Sequence, residues 1–502
     1  MYAEGWRLLR RGNYISGSFE HPDEIDGWVV GFNPGDRADA MGRFAFSAAS
    51  VDHAVAAART ASSGWRTTPL DERLAWVTHV ADLLEAESEG LSCLLTRETG
   101  KPHWEAAEEV AGAVRACRLL VDEAPGHLSS VRVREGTAWS DARPHGIVGV
   151  VTPWTFPLLT PTLHVMSALV TGNTVVFKPS KFAPGSGQAL AELIDRARLP
   201  RGVFNLVQGS GGVVGKRLVA HPDLNALLFT GSHETAAVIR RVTATRPELT
   251  TWFQTGGKGV GLVLPDADLE RAVYDITVSA FVTAGQRHNS TQRVFVPAAS
   301  MAQVQQELVD RARQLTIGYG FDEGVFYGPL ISDAHRARYL SDLEAWEAAG
   351  HGIALRGEAI RVEGRRGYYV TPSVLVLNGQ PERVPKLTGP AVVLESYDTL
   401  EQAIARHEGL DYRLATSLFT SDPEAALREV APHLTTGCLN LNRGTIGSSL
   451  RLPGVGAGRA SSGVPSDIHL LKLLTRHRAV LVDRRPTDAA RYVPGSGPEL
   501  SG

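Results

Sequence analysis

Apolar and polar residues follow two different periods along this chain. After residue 50 the apolar positions recur at helical spacing, so that Leu74, Val77, Ala81 and Leu84 form one stripe. From Ile147 onward, short apolar runs alternate with helical segments. This alternation is typical of strand–helix–strand units, and it predicts an α/β fold built on a parallel sheet.

Five apolar runs are the candidate strands of that sheet: residues 147–151, 174–177, 203–207, 226–229 and 261–264. Parallel sheets bind ligands at the carboxyl ends of their strands. Polar and glycine-rich stretches follow four of the runs, at 152–155, 178–181, 209–212 and 230–232. A second alternating segment extends to about residue 440 and predicts a second α/β domain.

Composition narrows the classes of function. The formal net charge is −3, with both signs interspersed, so we expect neither a nucleic acid nor an anionic membrane surface as partner. No run of about 18 apolar residues predicts a membrane span. Cys93, Cys117 and Cys438 lie far apart without metal-ligand spacing. We therefore expect a cytoplasmic protein and assign no metal site.

The stretch from Thr283 to Arg293 lies between a helical pattern and an apolar strand, and it contains Gly285-Gln286-Arg287-His288. Six further motifs accompany it in a fixed order: Glu-Thr-Gly-Lys-Pro at 98–102, Gly-Asn-Thr-Val-Val-Phe-Lys-Pro-Ser at 172–180, Phe-Thr-Gly-Ser at 229–232, Gly-Gly-Lys at 256–258, Gly-Pro at 389–390 and Asn-Leu-Asn at 440–442. Together they resemble the aldehyde dehydrogenase superfamily over residues 20–485, and within it the N-succinylglutamate 5-semialdehyde dehydrogenase branch.

The resemblance implies the aldehyde dehydrogenase fold: a Rossmann-like cofactor domain, an α/β catalytic domain and a small oligomerisation element. The implied boundaries are 1–127 with 147–255 for the dinucleotide-binding-type domain, 256–440 for the catalytic-type domain, 128–146 with 465–485 for the oligomerisation element, and 486–502 for a flexible tail. A homodimer or larger homo-oligomer is expected. The alternating segment 131–134 is either an edge strand that pairs with another subunit or an ordinary surface hairpin.

Three positions that carry catalysis in the family hold other residues here. His288 stands where the family has its nucleophilic cysteine. Gln254 stands at the general-base glutamate and cannot take a proton. Thr155 stands at the asparagine that stabilises the oxyanion, and loss of one such donor costs about 10²–10³ in rate. Each substitution alone could be drift, but the motifs around them are intact, which favours a site that changed its task or one that only binds.

The resemblance also implies a site for NAD or NADP. Lys178 and Ser180 match residues near the adenosine ribose, and Gly231 and Ser232 match residues near the pyrophosphate. Lys181 stands where the family often has an acidic residue, which favours the extra phosphate of NADP. Lys386 replaces the carboxylate that holds the nicotinamide ribose, so the alternative is that this half of the site is lost.

Three arginines are candidate substrate contacts. Arg287 follows the glycine-glutamine pair, and the local alternative for it is a structural ion pair. Arg443 and Arg451 flank the expected pocket mouth, where they could pair with a ligand carboxylate or remain solvated. The small-molecule ligand expected from the resemblance is of the glutamate-semialdehyde type.

These observations leave three hypotheses. In the first, the chain is a pseudoenzyme that binds a semialdehyde-like or acyl ligand or serves beside a partner enzyme. In the second, it is a repurposed enzyme in which His288 is an acid or base for condensation, cyclisation, dehydration or hydrolysis. In the third, it is an NAD(P)-dependent semialdehyde dehydrogenase with a displaced cysteine, Cys438.

Overall fold

The structure is a computed structural model that describes residues 12–134, 137–379, 387–447 and 449–483. Lys386 and the predicted tail at 486–502 lie outside the described residues. Among the described residues, no helix combines the length and apolar character needed to cross a bilayer.

The strands, in chain order, are β1 (Asn13–Ile15), β2 (Ser18–Glu20), β3 (Gly27–Asn33), β4 (Asp36–Phe46), β5 (Val131–Arg134), β6 (Ala138–Pro144), β7 (Ile147–Val151), β8 (Thr174–Lys178), β9 (Phe204–Leu206), β10 (Ala226–Thr230), β11 (Thr250–Gln254), β12 (Gly259–Val263), β13 (Thr291–Pro297), β14 (Gly352–Leu355), β15 (Ser373–Val376), β16 (Ala391–Tyr397), β17 (Tyr412–Arg413), β18 (Ala415–Phe419), β19 (Cys438–Leu441), β20 (Ala457–Gly458) and β21 (Thr475–Leu481).

The α-helices, in chain order, are α1 (Ala49–Trp65), α2 (Leu70–Ala86), α3 (Ser88–Thr99), α4 (His103–His127), α5 (Leu159–Val170), α6 (Pro184–Arg196), α7 (Lys216–Ala220), α8 (His233–Thr243), α9 (Leu269–Phe281), α10 (Met301–Arg313), α11 (Asp333–Ala348), α12 (Leu400–Glu408), α13 (Pro423–Glu429) and α14 (Leu470–Leu473).

The first sheet has the strand order β11-β10-β7-β8-β9-β1-β2. Its five strands from β11 to β9 are parallel, and β1 and β2 add an antiparallel edge. Every residue of β7, β8 and β10 is buried, as expected when helices cover both faces of a parallel sheet. The predicted Rossmann-like layer is therefore present, and its carboxyl edge carries the polar stretches that follow the strands.

The second sheet has the order β14-β15-β16-β13-β12-β18-β19 and is parallel except for β14. The apolar run at 261–264, grouped with the earlier runs in the sequence, belongs here: β12 pairs with β13 and β18. The chain changes sheets at Gly256, whose φ of +69° is easily reached by glycine. β11 therefore belongs to the first sheet, whereas the His288 loop leads into β13 of the second sheet.

A third sheet of three antiparallel strands has the order β21-β6-β5. It joins the two segments assigned to the oligomerisation element, with Thr475 opposite Pro144 and Leu481 opposite Ala138. β5 lies at its edge, and Val133 on that strand is 83% exposed. The pairing of this edge with a second subunit stays a prediction.

Candidate functional site

The loop that carries His288 has an unusual backbone. Helix α9 ends at Phe281, and the following turn holds Thr283 at φ +56° and Ala284 at φ +51°. A left-handed conformation at a residue other than glycine costs on the order of 1–3 kcal/mol. Next to them, a Cβ on Gly285 would lie 2.4 Å from the Gly389 carbonyl oxygen. Two of the sequence motifs therefore touch at this turn, and only glycine fits at 285.

A buried ion pair holds the strained turn in place. Glu105 on α4 accepts hydrogen bonds from Nη2 of Arg287 at 2.8 Å and from the Thr283 hydroxyl. Nε of Arg287 also donates to the Thr283 hydroxyl at 2.8 Å, and Lys258 Nζ donates to the Gly285 carbonyl at 2.7 Å. Arg287 thus makes a structural ion pair, which was the alternative considered for it, although its partner lies 182 residues away in the chain. This ion pair braces the loop.

The charge of Glu105 depends on this pairing. Burial alone would raise the pKa of its carboxyl group, but the positive charges of Arg287 and Lys101 and the hydrogen bond from Thr283 outweigh burial and hold the pKa below its ordinary value. Glu105 is only 1% exposed. A negative charge therefore sits directly beneath the His288 loop.

His288 is a neutral residue in this setting. Burial of the imidazole, reinforced by the charges of Arg287 and Lys258, lowers its pKa to about 4. Its ring meets the ring of Phe156 edge to face, with centroids 5.9 Å apart. Across the part of the chain that the structure describes, no hydrogen bond to the imidazole is present. At neutral pH the ring is therefore in its neutral form, and it is a weaker base than an ordinary histidine.

His288 faces a cavity of about 990 Å³ between the two sheets. One face of helix α4 forms a wall, together with residues of β11, residues at the starts of β18 and β19, and residues of the segment after β19. Of the predicted site residues, the cavity brings together His288, Gln254, Arg287 and Arg451. It is large enough for a small metabolite.

Two of the predicted catalytic and substrate-binding residues do not line this cavity. Thr155 is half-buried, but its neighbour Phe156 forms the wall instead. The Phe156 ring lies 4.5 Å from the Lys101 ammonium and 5.2 Å from the Arg287 guanidinium, and cation–π attraction favours this placement. Arg443 is exposed, and its Nη2 donates to the Gly447 carbonyl at 2.6 Å.

The arginines of the cavity wall are already engaged. Each of the four has an acidic partner: Arg287 with Glu105, Arg115 with Glu108, Arg118 with Asp82 and Arg451 with Glu123. The same wall carries Asp467, whose carboxylate accepts a hydrogen bond from the Ser466 hydroxyl at 2.7 Å. Burial raises the pKa of Asp467 to about 6. Every arginine of the wall therefore has an acidic neighbour with which an anionic ligand would compete, although the three pairs other than Arg287–Glu105 are exposed and weak.

Cys438 also lines the cavity, as the first residue of β19. Its Sγ lies 3.7 Å from Oδ1 of Asn440. Burial raises the pKa of this thiol above its ordinary value, whereas a nucleophilic cysteine needs a lowered one. The geometry places a sulfur in the cavity but does not activate it.

The carboxyl edge of the first sheet holds the predicted cofactor residues. Lys178 ends β8, and its buried Nζ donates to the Pro179 carbonyl at 2.6 Å; burial and the charge of Lys181 lower its pKa to about 8. Ser180 Oγ accepts from the Phe182 amide at 3.2 Å. Lys181 is exposed, with its ammonium 5.0 Å from the Phe182 ring.

At the next strand, Gly231 donates its amide to the Gln254 carbonyl at 3.1 Å. Ser232 caps α8 by accepting the Thr235 amide at 3.2 Å. The hydroxyls of Thr152 and Thr230 are buried and find no hydrogen-bond partner among the described residues. Unpartnered donors beside a helix N-terminus and a buried ammonium suit an anionic nucleotide. The adenosine–pyrophosphate half of the predicted site therefore fits a dinucleotide.

Glu105 and Phe156 are site residues that the sequence reasoning missed. A signal for Glu105 was present, because Glu105 and Glu109 lie four residues apart on the apolar face of α4, where a carboxylate needs a cationic partner. Lys101 is the ion-pair partner of Glu109. The partner of Glu105, Arg287, is 182 residues away and could not be assigned from spacing.

A Rossmann-like parallel sheet and a second parallel sheet, which both contribute residues to one cavity, define a two-domain α/β architecture whose first sheet is of the dinucleotide-binding type. The chain belongs to the aldehyde dehydrogenase family, whose sequence model matches residues 29–480. The resemblance found in the sequence is thereby confirmed at the level of family and fold.

Similar proteins agree with this assignment. The chain is 35% identical over 437 residues to N-succinylglutamate 5-semialdehyde dehydrogenase 1 of Caulobacter vibrioides, covering 85% of this chain and 91% of the relative. It is 36% identical over 445 residues to the N-succinylglutamate 5-semialdehyde dehydrogenase of Burkholderia mallei, covering 86% and 89%.

Two solved structures share the fold. HpcC from Thermus thermophilus superposes with a TM-score of 0.89 at 29% identity, covering 96% of this chain and 95% of that one. The NAD+ complex of an aldehyde dehydrogenase from Bacillus cereus superposes with a TM-score of 0.88 at 27% identity, covering 95% and 97%.

Proposed function

We propose that this protein binds a small semialdehyde-like or acyl ligand in the cavity at His288 and does not oxidise aldehydes through a thiol-linked intermediate. The observation that carries the proposal is the neutral imidazole of His288 facing the cavity from the strained loop. Oxidation by this route needs a thiolate to form a covalent intermediate and a base to activate water. Gln254 on the same wall cannot accept a proton.

A dinucleotide is part of the proposal. The residues that would hold NAD or NADP are Lys178, Ser180, Gly231 and Ser232. The unpartnered hydroxyls of Thr152, directly after β7, and Thr230, at the end of β10, would join them. When bound, the nicotinamide would supply a hydride acceptor. Lys181, with its exposed ammonium, favours a phosphate on the adenosine ribose and hence NADP.

The ligand proposed here carries a carbonyl and few anionic groups. The relatives named above are dehydrogenases of N-succinylglutamate 5-semialdehyde. A glutamate-type carboxylate entering this cavity would have to compete with Glu105 or Glu123 for an arginine. Asp467, on the same wall, would repel it. We therefore favour a ligand with fewer carboxylates than that substrate.

The test uses the full-length protein. Calorimetric titration with NAD and NADP, repeated with N-succinylglutamate 5-semialdehyde and neutral aldehydes, measures binding. Formation of NADH or NADPH by the same samples measures oxidation, with an active relative as positive control. We expect binding without turnover. Efficient reduction of NAD or NADP with any of these aldehydes would contradict the proposal.

A matched set of variants separates the missing thiol from the other changes. His288→Cys restores the thiol alone, and the triple variant with Thr155→Asn, Gln254→Glu and His288→Cys restores all three family residues. We expect neither variant to reach the turnover of the active relative. The single variant still lacks a base at 254, and in the triple variant Phe156 rather than residue 155 lines the cavity. Full activity in the single variant would show that only the nucleophile is missing.

A second candidate function is a non-redox step with His288 as base. It is favoured by the neutral ring, which no described residue engages through a hydrogen bond. It ranks second because a group with a pKa of about 4 accepts protons weakly at neutral pH. Unchanged turnover of a condensation or dehydration substrate in His288→Ala would eliminate it. The third hypothesis, catalysis by Cys438, is disfavoured by the raised pKa of its thiol, and full dehydrogenase activity in Cys438→Ser would remove it.

A further inference from the structure

Three side chains of different chemistry meet near the turn that joins α3 to α4. Glu89 and Cys93 lie one helical turn apart on α3, and His103 is the first residue of α4. His103 Nε2 lies 3.3 Å from Glu89 Oε1. Cys93 Sγ lies 3.7 Å from the same carboxylate oxygen and 3.8 Å from the same ring nitrogen. One oxygen, one nitrogen and one sulfur therefore form a compact triangle.

The size of this triangle matches the ligand spacing around zinc. With Zn–S near 2.3 Å and Zn–N or Zn–O near 2.0–2.2 Å, tetrahedral angles place sulfur about 3.6 Å from nitrogen or oxygen, and nitrogen about 3.4 Å from oxygen. The observed separations of 3.8, 3.7 and 3.3 Å agree within a few tenths of an ångström. A single ion could contact all three atoms without movement of either helix.

We propose that Glu89, Cys93 and His103 form a zinc-binding site, with water as the fourth ligand. Thiolate, imidazole and carboxylate are the ligand types that zinc takes in proteins. Solvent can reach the site, because the Glu89 side chain is 69% exposed and that of His103 is 19% exposed. Cys93 is buried beneath them, so the site has a closed side and an open side.

This proposal departs from the expectation that the chain has no metal centre. Cys93 and His103 are ten residues apart with a turn between their helices, a spacing that matches no common zinc motif. No sequence signal therefore pointed to the site. Packing of α3 against α4 brings the two residues together.

Zinc binding requires that the Cys93 thiol lose its proton. Burial, with the neighbouring Glu89 charge, raises the pKa of the Cys93 thiol to about 11. Zinc has to displace that proton, as it does from other cysteine ligands. The competing arrangement is metal-free: an ion pair between Glu89 and His103 above a protonated thiol.

The site lies close to the network beneath His288. His103 is two residues from Glu105, which holds Arg287. The turn between the helices also positions Lys101, the ion-pair partner of Glu109. A metal that fixes α3 to the first residue of α4 would therefore stabilise the base of the His288 loop.

The test is metal titration of the full-length protein after chelator treatment under reducing conditions. Calorimetry with Zn²⁺ measures stoichiometry and affinity, and Co²⁺ absorption reports thiolate coordination through its charge-transfer band. The variants are Cys93→Ser, His103→Gln and Glu89→Gln. Cys438→Ser is the matched control, because it removes a thiol outside the cluster. Circular dichroism checks that each variant is folded.

We expect one zinc per chain and a thiolate–cobalt band, both retained in Cys438→Ser. Loss of a direct ligand should weaken binding by more than the roughly 10–100-fold typical of residues that only support a ligand. Glu89→Gln alters an exposed side chain and should fold normally, so it keeps the test valid if Cys93→Ser does not fold. Absence of zinc binding, absence of the cobalt band, or unchanged affinity in Glu89→Gln overturns the proposal.

Discussion

Replacing Glu105 with glutamine should loosen the loop that carries His288. The substitution keeps the shape of the side chain but leaves the Arg287 guanidinium, only 15% exposed, without its counter-charge. Removal of one partner from a buried ion pair costs about 3–5 kcal/mol. Because Arg287 retains some solvent contact and stacks on Phe156, we expect the lower end, about 3 kcal/mol.

The assay is hydrogen exchange of the segment 281–290 by mass spectrometry. A local measurement is needed, because a chain with several sheets need not unfold in one step. A loss of about 3 kcal/mol corresponds to a roughly 100-fold increase in the opening equilibrium of the segment. Strain in the turn at Thr283 and Ala284 favours opening once the brace is removed.

The matched control is Glu108→Gln, on the same helix and facing the same cavity. Glu108 is 71% exposed and lies 3.7 Å from an exposed arginine, and surface pairs of this kind contribute little. Its exchange should equal that of the wild type. If Glu105→Gln exchanged no faster than Glu108→Gln, the ion pair would not be what holds the loop.

The effect of Glu105 should also depend on pH. Its folded-state pKa lies below the ordinary value, so its contribution is fully present above about pH 4.3, the value in the unfolded chain, and is lost as pH falls through the folded-state pKa. The difference between wild type and Glu105→Gln should therefore shrink below that pH. A difference that stays constant from neutral to strongly acidic pH would contradict the charge argument.

Three further predictions concern single residues. Titration of His288 by NMR should give a midpoint near 4. Because a histidine of the unfolded chain is protonated with a pKa near 6.5, the free energy of unfolding should fall as pH is lowered from about 6.5 toward 4. A midpoint near 6.5 would show that the ring is solvated. Ser232→Ala should lower the local stability of α8 by about 1 kcal/mol, measured by hydrogen exchange of residues 233–243, while Ser232→Asn does not. Equal losses in the two variants would exclude the cap. Cys438 should react slowly with iodoacetamide at neutral pH because burial raises its pKa, and rapid labelling would reopen its candidacy as nucleophile.

The sequence alone determined four strands of the first sheet. The runs predicted at 147–151, 174–177, 203–207 and 226–229 are strands within one residue of those bounds, whereas β11 was not predicted. Each run is short, largely apolar and bounded by turn residues, and a strand buried on both faces needs that composition.

The sequence also supplied the chemical identity of the candidate site. An imidazole at 288 and an amide at 254 exclude thiolate and carboxylate chemistry at those positions in any fold. Family membership and the dinucleotide-type sheet followed from ordered motifs. The types of residue at each position and their local periodicity are properties of the sequence itself.

Only the tertiary structure decided which of these residues meet. It placed Phe156 rather than Thr155 at the cavity wall, paired Arg451 with Glu123, and set Glu105 beneath a loop 182 residues away. It moved the run at 261–264 into the second sheet. These outcomes depend on how whole helices and sheets pack. An arginine, for example, is a free cation or a partner in an ion pair according to the neighbour that packing places beside it. Local sequence carries no information about a neighbour that arrives from a distant segment.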